Sequence, residues 1–66
     1  MKYSERVAGW IKDMIEREMR EVYDAISQEH FFEKTDIENA EIHRANIQEM
    51  NDYLAQLDEM KKAVNG

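Results

Sequence analysis

The chain has 66 residues and a net charge of −6 from nine basic and fifteen acidic side chains, with no cysteine and no proline. That length allows one small domain with a modest core. The missing cysteine excludes disulfides, zinc–thiolate sites and thiol nucleophiles together.

Ser4 followed by Glu5 predicts a helix start, with a hydroxyl to take an orphan amide and an acid where the helix dipole favours negative charge. Val7, Ile11, Met14, Ile15, Val22 and Ile26 then recur at spacings of three and four, the mark of a buried helical stripe. With Trp10, Met19 and Tyr23 included, the apolar arc is roughly 200° wide, about twice the width of a two-helix seam. Tyr3, Trp10 and Met14 form an amphipathic strip of the kind enriched at interfaces, and are candidate partner contacts. Glycine at position 9 lies off the apolar arc, where it costs about 1 kcal/mol of helix stability relative to alanine.

The periodicity is interrupted between His30 and Asp36. Phe31 and Phe32 stand there side by side; they either plug the end of a bundle or offer a knuckle to a partner, and both are candidate contact residues. Thr35-Asp36-Ile37-Glu38 reads as a capping box that opens a second helix. An unbroken helix is the alternative, but the apolar arc would jump by roughly 70° across residues 30 to 36. The expected fold is therefore all-α, an antiparallel helical hairpin in a single domain over residues 1–66. Its helices cover about 4–30 and about 36–64, each roughly 40 Å long, with a turn at about 31–35.

Beyond the turn, Ile42, Ile47, Met50, Tyr53, Leu54, Leu57, Met60 and Val64 repeat at helical spacing, and Asn65-Gly66 supplies a stop behind Lys61 and Lys62. Two helices touching along one seam cannot readily offset ordering costs of about 1.5 kcal/mol per residue. Each arc is broad enough for two neighbours, so two hairpins are expected to dimerise into a four-helix bundle with two-fold symmetry.

Polar residues interrupt these arcs. Glu18 falls near the centre of the first, and Asn39, His43 and Asn46 fall within the second, all four candidate buried polar groups. A turn centred near residue 33 places Asn46 opposite Arg20 and Met50 near Glu16, so Glu18 is expected to face Asn46 or a symmetry-related neighbour, with His43, or His30 from a partner chain, as its donor. A carboxylate–histidine metal site is conceivable, but the chain lacks the Glu-x-x-His pairing that bundle metal sites use. No cofactor is expected. Ser4 and Ser27 have no histidine and acid at nucleophile spacing, and there is no glycine-rich phosphate loop, so catalysis is not expected.

Charge is unevenly spread. Residues 21–60 hold eleven acids and two bases, whereas residues 1–20 hold five bases and four acids. The open end of the hairpin, with Lys2, Arg6, Lys12, Lys61 and Lys62, is mildly basic. Glu49, Asp52, Asp58 and Glu59 mark a candidate acidic surface on the second helix. Direct nucleic-acid binding is disfavoured for want of a basic patch. No apolar run reaches the length of a signal peptide or a membrane span, so a cytoplasmic home is expected, the host cytoplasm if the chain is viral.

These features imply a non-enzymatic interaction module, regulatory or inhibitory, that pairs with itself and docks on a partner protein. The alternatives are a nucleic-acid mimic, of the kind a phage uses against its host, that blocks the groove of a basic nucleic-acid-binding protein, and a carboxylate/His metal-binding bundle.

Overall fold

The computed structural model describes residues 3–65, all-helical with no strand among them. Lys2 and Gly66, named above at the open end and in the helix stop, lie outside the described residues. Two helices, α1 (Glu5–Thr35) and α2 (Ala40–Asn65), are joined by Asp36 and a single 3₁₀ turn over Ile37–Asn39.

Ser4 caps α1 as the sequence predicts. Its backbone is extended (φ −63°, ψ 159°), and its Oγ accepts the Val7 N–H at 3.2 Å. The other end of α1 departs from expectation, because residues 31–35 are helix and not turn. Gln28 to Thr35 contains no glycine or proline, so nothing in the backbone stops propagation there. Thr35 does not open a capping box. Its hydroxyl points back along α1 and donates to the Phe31 carbonyl at 3.0 Å, while the Asp36 N–H donates to the Phe32 carbonyl at 2.7 Å. The helix ends at Asp36, which leaves helical geometry at φ −105°, ψ 73°. No side chain caps the 3₁₀ turn that follows.

Moving the connection toward the C-terminus changes every cross-helix partner. Since α1 runs on past the expected turn, residues facing one another differ from the predicted pairing by roughly two helical turns. Asn46 meets Glu29 instead of Arg20, with Nδ2 to Oε2 at 3.3 Å, and Glu16 meets Lys61 at 3.1 Å. The cross-links Glu16–Lys61, Glu18–Tyr53 and Glu29–His43 run in opposite order along the two helices, so the pair is antiparallel.

The seam is narrow. Ile15 and Val22 of α1 pack against Leu54 and Leu57 of α2, with Ile11, Met19, Ile26, Met50 and Val64 half-buried around them. Ile47 is buried further toward the turn. A slab of 50 × 15 × 9 Å results, measured at the Cα atoms. No described helix is long and apolar enough to cross a membrane.

A candidate protein-interaction face

One layer of helices buries one stripe of each helix and leaves the rest of each broad arc in water. Ten large apolar side chains stand exposed among the described residues. At about 100° per residue, Trp10, Met14 and Phe32 lie roughly 100° to 140° to one side of the α1 stripe centred on Ile15. Ile42, Tyr53 and Met60 lie at a similar angle from the α2 stripe centred on Leu54. Because the helices are antiparallel, both displacements point to the same flat side of the slab. The Tyr53 hydroxyl bridges the helices on that side by donating to Glu18 Oε1 at 3.2 Å.

Tyr3 joins this side at the open end, where it lines an apolar groove with Ile11, Ile15, Met60, Ala63 and Val64. Seven of the ten exposed apolar side chains therefore share one face. Trp10 and Met14, at 60% and 64% exposure, are its most prominent members. Arg6 lies over the Trp10 ring, 5.8 Å from its centroid, and covers part of it without burying it.

Of the predicted contact residues, Tyr3, Trp10, Met14 and Phe32 are thus brought together, and Phe31 is not. Phe31 stands on the outer side of α1, exposed and edge-on to Phe32 at 5.9 Å between centroids. Neither ring closes the end of the hairpin; Phe32 instead packs against the His43 ring at 5.6 Å.

The predicted buried polar set needs correction, because no polar side chain is buried among the described residues. Asn39 is exposed in the connection, with its amide donating to both oxygens of Asp36 at 3.1 and 3.3 Å. Glu18 is half-buried at the edge of the seam and pairs with Tyr53, away from His43. Burial pushes the Tyr53 phenol up, and the neighbouring Glu18 charge pushes it the same way.

His43 and Asn46 are half-buried within a cluster that the predicted register hid. Glu29 Oε2 lies 2.6 Å from His43 Nδ1, and Asp36 Oδ2 lies 3.0 Å from Nε2. The imidazole thus bridges a carboxylate of α1 and one of the connection. The signal was present in the sequence, since Glu29 sits on the α1 stripe one turn beyond Ile26. Finding its partner required the true position of the turn.

The candidate acidic residues lie along α2, with Glu49, Asp52 and Glu59 exposed and Asp58 half-buried. Glu49 stands on the rim of the apolar face, and Asp52 accepts from Gln48 at 3.0 Å on the outer side of α2. Asp58 and Glu59 share Lys62, at 3.1 and 3.9 Å. Carboxylates are denser near the connection. Compared with known protein families, curated proteins and solved structures, the chain matches none.

Proposed function

We propose that this chain is a non-enzymatic interaction module whose apolar face is covered by a second copy, giving a four-helix bundle, and whose acidic turn end docks on a partner protein. The observation that carries this reading is the gathering of seven exposed apolar side chains on one side of a two-helix slab. Apolar side chains gathered on one side, here with Glu18, Glu21 and Glu49 between those of the two ends, mark an interaction surface.

Surface area supports it. The chain exposes 5381 Å², whereas a compact monomer of its 7.9 kDa mass exposes about 4400 Å². A face of 50 × 15 Å offers about 750 Å² before side-chain relief, close to the roughly 800 Å² per partner of a standard interface. Covering it adds a second layer to a core that has only one. Outside that face, Phe31 and Ile37 remain exposed beside Glu33, Glu38 and Glu41. Apolar tips ringed by carboxylates suit a partner with a basic rim, whose charge would speed encounter. A cytoplasmic home is part of the same proposal.

Sedimentation equilibrium from nanomolar to micromolar concentration tests self-association. The expected result is a dimer that dissociates on dilution with loss of helical signal. A compact, cooperatively melting monomer at nanomolar concentration overturns the reading.

Nucleic-acid mimicry is a second reading, favoured by the seven acids from Glu21 to Glu41. Replacing Phe31 and Ile37 by serine distinguishes it. Docking through those exposed apolar tips is then lost, whereas a mimic, held by its carboxylates, keeps target binding and its salt dependence.

A further inference from the structure

We infer that the second copy lies head to tail on the apolar face, with α1 over the partner's α1 and α2 over the partner's α2, so that each acidic turn end covers the other chain's open end. This rests on the self-association proposed above and adds its polarity.

Two identical slabs meeting face to face under a two-fold axis have two simple solutions. If the axis runs along the slab, turn meets turn and open end meets open end. If it runs across the slab, each turn meets the other chain's open end. Apolar burial is available to both, because the face carries an apolar group at each end.

Charge separates them. Residues 21–53, the turn half of the slab, hold nine acids and two bases, a net −7 with histidine neutral, while the remaining residues net +1. Turn on turn would set −7 against −7 across helices packed about 8 to 10 Å apart, a spacing that physiological salt, with a Debye length of about 8 Å, screens incompletely. Head to tail sets −7 against +1.

Spacing along the slab agrees. Phe32 and Ile42 each lie five residues from Ile37, and Met14 and Met60 each lie twenty-three residues from it. At 1.5 Å per residue these pairs stand about 8 and about 35 Å from the connection, so both share a midpoint near the middle of the 50 Å slab. A crosswise two-fold axis therefore lays Phe32 on the partner's Met14 and Ile42 on the partner's Met60. Thioethers adapt well to such contacts, with sulfur–aromatic attraction for the first.

Because the chain has no cysteine, a nitroxide on E38C reports one site per copy, exposed beside the connection. Electron–electron distance measurement on the labelled dimer should give roughly 40 Å or more for head to tail, the separation of opposite slab ends. A distance below about 20 Å overturns the polarity while leaving the dimer standing. A monomer mass with no inter-spin distance overturns self-association itself.

A charge exchange supplies an independent reading. I42K alone and M60E alone should each weaken association at least tenfold, and the double variant should recover most of that loss, since lysine and glutamate would then meet across the interface. Turn on turn brings Ile42 to the partner's Phe32 instead, so failure of the double variant to recover overturns the proposal. If the single variants do not fold, the nitroxide distance in the otherwise native chain decides.

Discussion

His43 of α2 meets Glu29 of α1 with Nδ1 and Oε2 only 2.6 Å apart, and its second ring nitrogen lies 3.0 Å from Asp36. A neutral imidazole has one N–H, so it can donate to one carboxylate only and must turn a lone pair toward the other. Protonated, it donates to both. Asn46 and Asn39 add amide donors to Glu29 and Asp36 respectively. The next carboxylate along α1, Glu33, is drawn aside by Arg44 at 3.9 Å. The charged imidazole is thus the form that fits this site.

Stability should therefore depend on pH in a defined sense. Hydrogen bonds to Asp36 and then Glu29 raise the pKa of His43, while the His43 bond lowers those of Glu29 and Asp36. The histidine contribution is complete below its unfolded value, about 6.5, and is lost as pH rises through the raised folded value. The carboxylate contributions are present above about pH 4 and are lost as pH falls through their lowered folded values. The thermal midpoint should be higher at pH 5.5 than at pH 8, and H43Q should flatten that difference. An equal slope in H43Q would place its source elsewhere.

The hydrophobic seam gives a larger effect. Leu57 is the most deeply buried side chain described, at 4% exposure, and packs with Ile15, Val22 and Leu54. L57A should cost about 2 to 5 kcal/mol from lost burial and the cavity left behind. In a core this small, that is most of the available stability. Circular dichroism should show the helical signal largely lost at 37 °C, whereas A55S, on the exposed side of α2, should leave it intact.

Much of this fold is legible from spacing alone. Ser4 announces α1, and the three-and-four recurrence of Ile11, Ile15, Val22 and Ile26 identifies the buried stripe. The excess width of the arcs anticipates the exposed face that Trp10, Met14 and Met60 share. What spacing misreads is the stop. Thr35 has two uses for its hydroxyl, capping the next helix or bonding back to the carbonyl four residues earlier, and sequence does not rank them. The second occurs, and the turn moves. Register follows turn position, so Glu18 acquires Tyr53 in place of the expected partners, and the Glu29–His43–Asp36 cluster appears where only scattered acids were read. Periodicity fixes which face a residue occupies; the single residue that leaves helical geometry fixes whom it meets.

Removing the N-cap tests how independent α1 is. Ser4 Oγ is the only side-chain acceptor described for the first-turn amides, taking the Val7 N–H. S4A should cost about 1 kcal/mol and S4G only a few tenths. Fraying should be confined to the open end. Amide exchange should accelerate around Val7 and Ala8 and remain slow at Val22 and Ile26.

Gly9 lies inside α1, and a Cβ built there meets nothing within 4 Å. Its φ is ordinary, since no glycine with positive φ is described, so alanine enters without strain. By helical angle it sits on the side of the slab opposite Trp10 and Met14, away from the proposed dimer face. G9A should then raise stability by up to about 1 kcal/mol, through helix propensity and a less flexible unfolded chain. The dimer constant should change only as far as the folded population does. If G9A instead weakens association while raising the helicity of the monomer, another chain must approach the backbone at Gly9. In that case the self-association surface lies on the charged side of the slab, and the apolar face is left for a different occupant. Paired measurements on G9A, thermal melting at low concentration and sedimentation at high concentration, separate these outcomes without touching any residue of the face itself.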